Sequence, residues 1–600
     1  MDIGLVGDGP AVEAVEAALA DVDVNVMSVE PSLLDGFDLG VVVDTTGSAA
    51  FDAANDLLDR WVAVEVGGLG GVPLADVDAA VTVLEDACYD CLRDRVASGG
   101  VEAADAPKGT RSAVRYAGAV AGRTAIRLLA GEPVGDTVRE VPGPTRSLLP
   151  VPGCGCGSEP GAALPRGGET RSVSAAIERA ERGVDPRIGP IGEVGERESF
   201  PVPYYVSRVA DTTRFSDARA AEFAAGADDD WDAAYMKALG EGLERYAAGV
   251  YRESAFTTAT AADVPNPVTP DAFVRPDDAE PYSSEDRLAW TTGERLVAGE
   301  RPGSGEVVSL PAEFVRFPPP ERRYRPAITT GLGLGNTGSE AALSGLYETI
   351  ERDATMTTWY STTEPLGLEV DDPVVERLEK RARAESLSVS TLLVTTDVDV
   401  PVVAAAVHRD GEWPRFAAGS GADLDPVAAA RNAVAEALQN WMELRSMGKE
   451  TAADQGAAIG HHADLPDATR EFFDPDATVP AAGLGEPALV GDDAGDGETD
   501  EARDGGTDDV KGGGTDEARD GGVDELDAVV DRVRSVGLDP VVARTTTRDV
   551  AALGFEAVRV LVPGAQPLFT GDPFFGERAR EVPRSMGFEP TLDREYHPFP

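Results

Sequence analysis

One stretch of this chain restricts its fold more than any other: SEAALSGLYETIERDATM, from Ser339 to Met356. Leu343, Leu346, Tyr347 and Ile350 recur at helical spacing and define an apolar face. At about 100° per residue, Glu340, Ser344, Glu348 and Glu351 fall on a stripe beside it. Carboxylates at i, i+8 and i+11 on one flank of a helix repel one another. Such a helix needs open water along that flank, or cations.

Water is the simpler account. The chain carries 107 Asp+Glu against 53 Lys+Arg, a formal net charge of -54, so many of its helices will show acids on an outer face. The acid is spread over the whole length, and the only lysines are Lys108, Lys237, Lys380, Lys449 and Lys511. Diffuse acid with so little lysine reads as the surface of a protein kept soluble at high salt, as in an extreme halophile, where screening weakens the repulsion. A nucleic-acid partner would need a local basic patch, and the sequence has none. It also has no apolar run of membrane-spanning length and no signal peptide's charged start. The expectation is a cytoplasmic protein with no membrane association. With 600 residues, 42% of them hydrophobic, several cored domains are affordable.

The first thirty residues read as strand, Gly turn, helix and strand, with Gly7-Asp8-Gly9 at the turn. LGVVVDTT and WVAVEVGG follow as buried strands. This βαβ rhythm predicts a Rossmann-like domain over residues 1–105. The third glycine of a dinucleotide fingerprint is replaced by Val12, so a plain α/β domain fits equally well. CYDC supplies Cys88 and Cys91, and GCGC, in an expected linker over 106–171, supplies Cys154 and Cys156. These are all the cysteines of the chain, and in a reducing compartment they suit a closed four-thiolate structural zinc site. The histidines His408, His461, His462 and His597 form no ligand pattern.

A second domain is expected over 172–485. A Gly/Asp-rich segment at 486–522 carries TDEARDGG twice and reads as a disordered insertion. Helix and strand patterns resume over 523–600.

Within the second domain the Ser339–Met356 helix has two relatives. AAYMKALGEGLERYAAGV holds Glu241, Glu244 and Arg245, and AAARNAVAEALQNWMELRS holds Arg431, Glu436, Gln439 and Glu443. In each, acidic or amide side chains three apart share a face, and an Arg lies close by. Converging faces would gather carboxylates that need hard cations, and Mg²⁺ bridging to phosphate is the usual answer. TTGLGLGNTG, which leads into the Ser339 helix, offers backbone N–H groups to an anion.

These elements resemble the YcaO family of ATP-dependent amide-activating enzymes, over about Ser172 to Pro600 outside the insertion. ALGEGLERY, GLGLGNTGSEAALSGLYETIERD and RNAVAEALQ match that family's three ATP- and Mg²⁺-binding helices. By position, the resemblance implies Glu241, Glu244, Glu348 and Glu351 as Mg²⁺ ligands. It implies Arg245, Asn336, Glu340, Arg352, Arg431, Glu436 and Gln439 as nucleotide contacts. Ala224-Ala225-Gly226 stands where the family usually has Gly-Lys-Gly, and YHPFP stands where azoline-forming members usually end in Pro-x-Pro-x-Pro. In those members the terminus lies in the active site, which implies catalytic roles for Pro598 and Pro600. Prolines stiffen such a tail, and it is expected to lie outside any hydrophobic core.

The N-terminal part is similar to the ubiquitin-activating-enzyme-like (ThiF-like) domain fused to such cyclodehydratases, with CxC where CxxC is usual. With Met1 directly before the first strand, the winged-helix clamp that grips leader peptides in that domain is not expected here. The fold expectation is therefore α/β and α+β: a Rossmann-like domain with a zinc site, then a YcaO-type ATP-binding α+β domain. The function implied is ATP-dependent phosphorylation of a backbone amide oxygen, leading to an azoline ring in a peptide or protein. Thioamide formation, an accessory part in ribosomal-protein methylthiolation, and a non-catalytic scaffold for ATP or peptide are the alternatives. A separate leader-binding or dehydrogenase partner and a homodimer are compatible with this reading.

Overall fold

The computed structural model describes residues 1–168, 170–299, 305–455, 457–484 and 521–599. The N-terminal half is built on a seven-stranded sheet. Its parallel part comprises β1 (Asp2–Val6), β2 (Asn25–Ser28), β3 (Leu39–Thr45) and β4 (Trp61–Val66), in the order β2-β1-β3-β4. β5 (Ala79–Leu84), β6 (Thr137–Val141) and β7 (Thr145–Ser147) extend it antiparallel. β3 and β4 are buried for most of their length, as strands covered on both faces must be. The covering helices are α1 (Pro10–Leu19), α2 (Ala49–Leu57), α3 (Tyr89–Ser98) and α4 (Arg111–Leu129). Gly7 turns the chain from β1 toward α1 at φ +111, where a Cβ would stand 2.1 Å from the Val43 carbonyl oxygen.

The expected linker over 106–171 is corrected by this sheet. α4, β6 and β7 all fall within it and belong to the N-terminal domain. α4 lies directly on α1, because Gly118 leaves room for the Ala11 backbone, 2.1 Å from where a Cβ would be.

The second half opens with α5 (Val173–Ala180) and a three-stranded antiparallel sheet of β8 (Ile191–Glu198), β9 (Tyr204–Val209) and β10 (Phe223–Ala227). α6 (Trp231–Gly249) packs on that sheet. β11 (Thr257–Ala259), β12 (Leu288–Arg295), β13 (Val307–Pro311) and β14 (Leu332–Gly335) precede α7 (Gly338–Trp359). β15 (Leu366–Glu369), α8 (Pro373–Ala384), β16 (Ser388–Leu393), β17 (Val402–His408), β18 (Phe416–Ala422), α9 (Pro426–Met447) and β19 (Thr478–Pro480) follow. They give a five-stranded sheet in the order β18-β17-β16-β15-β19. Last come α10 (Gly521–Ser535), β20 (Val541–Arg544), α11 (Arg548–Leu553), β21 (Glu556–Leu561) and α12 (Arg578–Ser585). β20 and β21 complete a six-stranded sheet between β12 and β14, so the chain returns to the sheet it left. The expected insertion at 486–522 lies outside the described residues except for Gly521 and Gly522, where α10 begins.

The segment before the terminus does not behave as a free tail. Phe599 is 0% exposed and sits in the core with Trp359, Phe473 and Phe569. The expectation that this segment lies outside any core is corrected: a benzyl side chain between two prolines has more to gain from burial than from reaching into solvent. Pro600 lies outside the described residues. Replacing Phe599 by Ala should therefore cost about 3–5 kcal/mol of stability, read from denaturant unfolding in high salt. A loss below about 1 kcal/mol would show that the side chain is not in the core.

Candidate nucleotide and metal site

Three strand–helix units supply the site, and each is built in the same way. α6 is capped by the Asp230 side chain, α7 by Thr337 and α9 by Asp425. Under each helix runs a strand with a glycine at the contact. A Cβ on Gly226 would lie 2.3 Å from Ala238 N, on Gly333 2.1 Å from Ala341 O, and on Gly419 2.4 Å from Ala437 N. The helices thus approach the strands backbone to backbone, close enough for a helix glutamate to accept from a strand amide. Ala225 N donates to Glu241 at 2.7 Å, Gly331 N to Glu348 at 2.9 Å and Ser420 N to Glu436 at 2.6 Å. In all three it is Oε2 that is pinned, while Oε1 is paired with an arginine, Arg245 for Glu241 and Arg352 for Glu348 and Glu436.

The pinned glutamates face one another across connected cavities. One, of about 520 Å³, is lined by Glu241, Glu244, Arg245, Glu348 and Glu351. A second, of about 660 Å³, adds Val173, Met236, Lys237, Asn336 and Phe555 and shares Glu241, Glu340, Asn432, Glu436 and Gln439 with its neighbours. A third, of about 680 Å³, runs past Arg245, Glu348, Arg352, Glu436 and Gln439 to Tyr204, Phe223, Phe317 and Glu443.

Charge in this space is unbalanced. Burial, reinforced by Glu348 and Glu241, pushes the Glu244 carboxyl up to about 8. Burial also raises Glu351 to about 7, with Arg352 opposing and Glu436 assisting. Glu241 and Glu436 are raised for the same first cause. Arg352 is the central cation: it stands 3.4 Å from Glu351, 3.9 Å from Glu348 and 4.0 Å from Glu436. The Ser420 hydroxyl donates to Glu351 at 2.6 Å. Arg559, 1% exposed, lies behind Glu244 and Glu348 and donates to the carbonyls of Thr329 and Ile328 at 2.7 and 2.9 Å. Burial draws its guanidinium down to about 10 against the pull of those two acids.

The donors fit a Mg²⁺–nucleotide pair. The carboxylates offer only hard oxygen ligands, and Arg245 Nε and Asn336 Oδ1 are buried without a protein partner. Glu340 takes the Asn336 backbone N–H at 2.8 Å and its side-chain amide at 3.0 Å, which aims Asn336.

Of the residues singled out in the sequence, Glu241, Glu244, Glu348, Glu351, Arg245, Asn336, Glu340, Arg352, Glu436 and Gln439 line these cavities. Arg431 does not. It pairs with Asp372 on the outer side of α9, and its neighbour Asn432, one helical step of about 100° away, takes the inward position. Pro598 lines a separate cavity of about 180 Å³ with Phe416, Met447 and His462, which shares Asn440 and Glu443 with the cavity of Tyr204 and Phe223. Lys237, Asn432, Ser420, Arg559 and Tyr204 went unread in the sequence. A signal for part of this existed: FAAG occurs at Phe223–Gly226 and again at Phe416–Gly419, each time ahead of a site helix.

The cysteines gather elsewhere, at the N-terminus of α3. Cys88, Cys91, Cys154 and Cys156 have sulfurs within 4.8 Å of one another. Three of the separations are 3.5, 3.6 and 3.7 Å, near the edge of about 3.8 Å for a tetrahedron of 2.3 Å zinc–sulfur bonds. Val151 N donates to Cys91 Sγ at 3.2 Å and Arg548 Nη1 to Cys156 Sγ at 3.3 Å, which suits thiolates. Among the described residues no helix is long and apolar enough to cross a membrane.

A family model described as YcaO cyclodehydratase, ATP- and Mg²⁺-binding, matches residues 225–566. The chain is 34% identical over 123 residues to an uncharacterized protein in the tfuA 3' region of Rhizobium leguminosarum bv. trifolii, a match covering 18% of this chain and 29% of that protein. The chain thus spans under a third of that relative's length. A heterocyclase solved in complex with substrate and cofactor superposes with a TM-score of 0.67 and 19% identity, over 99% of this chain and 84% of the other. The heterocyclase TruD gives 0.60 and 17%, over 98% and 82%. At these identities the likeness is one of fold.

The raised carboxylates give a signed pH dependence. Their folded values lie above the ordinary 4.5, so the stability they contribute is complete below about pH 4.5. It is lost as pH rises through about 7 and then about 8. Glu244→Gln should therefore melt higher than the unaltered chain at pH 9 without Mg²⁺, and at the same temperature at pH 5. Equal melting at pH 9 would show that Glu244 is not held against its charge.

Proposed function

Because the chain belongs to the YcaO family of ATP- and Mg²⁺-binding cyclodehydratases, we propose that it activates a backbone amide of a peptide or protein with ATP, closing an azoline ring. The observation that carries this reading is the convergence of Glu241, Glu244, Glu348 and Glu351 on one cavity beside Arg245. The cavity of Val173, Met236, Phe555 and Asn336 would hold the nucleotide base and ribose, and Arg245 and Arg352, which line the adjoining cavity, would hold the phosphates. The peptide fits the cavity of Tyr204, Phe223 and Glu443, which meets the other at Glu241, Glu436 and Gln439.

In the reaction, a Cys, Ser or Thr side chain of the substrate attacks the amide carbon. The resulting oxyanion attacks the γ-phosphorus, ADP leaves, and phosphate then departs with the former amide oxygen. Bound Mg²⁺ would supply charge neutralisation at the phosphates, held by the four glutamates. Arg245 and Arg352 orient the transferring phosphoryl group and balance the charge that builds on it. Glu443, which accepts from the Tyr204 hydroxyl at 2.9 Å and the Gln439 amide at 3.0 Å, is placed to hold a substrate N–H in the peptide cavity. Lys237 lines the nucleotide cavity together with Ala225, where the family's lysine is usual, and its ammonium is paired with Asp228 at 2.6 Å. Ring closure is favoured over thioamide formation by a likeness to heterocyclases that extends across the N-terminal domain.

The N-terminal domain is read as Rossmann-like and ThiF-like in a docking role. Its parallel strands in the order β2-β1-β3-β4 support this. A structural Zn²⁺ on the four cysteines, a high-salt cytoplasm, and a separate leader-binding or dehydrogenase partner belong to the same reading.

Glu351→Gln should lower phosphate release from ATP by about 10²-fold or more while leaving the melting temperature at pH 6 within a few degrees. Unchanged turnover would show that Glu351 is not a metal ligand. Metal analysis should find about one zinc per chain, lost in Cys88→Ser; equal zinc in both proteins would contradict the four-cysteine site.

A further inference from the structure

A buried charge pair lies between the N-terminal domain and the second half of the chain. Arg95 of α3 is 1% exposed and Asp549 of α11 is 0% exposed, and their side chains are paired. The Tyr246 hydroxyl bridges them: Arg95 Nη1 donates to it at 3.2 Å, and it donates to Asp549 Oδ2 at 2.5 Å. Arg95 also donates to the Pro150 carbonyl at 3.0 Å and the Leu149 carbonyl at 3.4 Å. The other Asp549 oxygen accepts from the Thr547 hydroxyl at 2.5 Å and Val550 N at 2.9 Å.

Stability alone does not account for such a cluster. Taking a guanidinium and a carboxylate out of water costs several kcal/mol each, and well-packed apolar residues would hold the two halves together at least as firmly. What a directional network adds is register. Apolar faces can slide or rotate by a fraction of a turn at little cost, whereas a bridged hydroxyl cannot. Tyr246 follows Arg245 directly and lies on α6, the helix that carries Glu241 and Glu244. Metal-binding carboxylates tolerate only about 0.5 Å of misplacement. The N-terminal domain grips α11 at the adjacent residue as well. Arg548 donates to Cys156 Sγ at 3.3 Å and to the Asp86 carbonyl at 3.4 Å, and Arg95 lies one turn beyond Cys91 on α3.

We propose that Arg95 is a positioning residue for the metal-binding carboxylates, fixing the register of α6 from the N-terminal domain through Tyr246 and Asp549. The proposal rests on the nucleotide reading above. It gives the N-terminal domain a part in the chemistry without touching a substrate.

The test uses the full chain in high salt and titrates Mg²⁺ at a fixed, saturating concentration of the non-hydrolysable analogue AMPPNP. Arg95→Met removes the charge, and Tyr246→Phe removes only the bridging hydroxyl while keeping the ring. Val15→Ala, in the core between α1 and α4 and away from this interface, is the control for general destabilisation. The expected result is a rise of about 2- to 30-fold in the Mg²⁺ concentration for half-saturation in Arg95→Met and Tyr246→Phe, and no change in Val15→Ala. Wild-type values in Tyr246→Phe would overturn the proposal, even if Arg95→Met failed to fold. Should the unaltered chain bind no AMPPNP, the nucleotide reading falls instead. Amide exchange along Trp231–Gly249 then decides about Arg95: faster exchange in Tyr246→Phe than in Val15→Ala supports it, and equal exchange overturns it.

Discussion

The site depends on one repeated interaction: a backbone amide in, or just before, the strand beneath a helix holds one oxygen of a glutamate on that helix. Ala225 N with Glu241, Gly331 N with Glu348 and Ser420 N with Glu436 are three versions of it. It exists because Gly226, Gly333 and Gly419 let each helix lie on its strand with no side chain between them. An alanine in those strands would push the helix outward and withdraw the carboxylate. The hydrogen bond fixes the direction of a group that would otherwise turn to water, and leaves the other oxygen facing an arginine, Arg245 for Glu241 and Arg352 for Glu348 and Glu436.

Electrostatics then follows from placement. Carboxylates directed inward from separate helices cannot escape one another, and burial raises Glu244 and Glu351 further. Arg352 and Arg559 offset part of this charge from within the protein. The remainder is the charge that the proposed metal–phosphate pair would meet, with the carboxylates of Glu241, Glu244, Glu348 and Glu351 as its oxygen ligands. The interdomain cluster of Arg95, Tyr246 and Asp549 belongs to the same logic, because it acts on the helix whose carboxylates are most affected.

Much of this was legible in the sequence, for definable reasons. The site helices are long, and acidic residues spaced three apart on one flank survive any uncertainty about helix ends. What could not be read was direction within a turn: Arg431 and Asn432 are adjacent, and only packing against β18 decides which of them faces the cavity. The paired FAAG strands carry no charge and drew no notice, although they set the geometry. α4 lies within the expected linker, and the contacts that make it structure, Gly118 on Ala11 and Gly122 on Ala18, join residues about a hundred positions apart. Phe599 was misjudged because a short proline-flanked segment gives no periodicity from which burial can be read. Arg95 and Asp549 lie 454 positions apart, beyond the reach of any local pattern.

The central claim is that these helices hold a divalent cation against nucleotide phosphates. Electron paramagnetic resonance with Mn²⁺ in place of Mg²⁺ tests it most directly. With AMPPNP and the intact chain together, the signal of solvated Mn²⁺ should be lost and a phosphorus-31 coupling from the bound phosphates should appear in a protein-held species. A spectrum of Mn²⁺ and AMPPNP that the protein leaves unchanged would contradict the account.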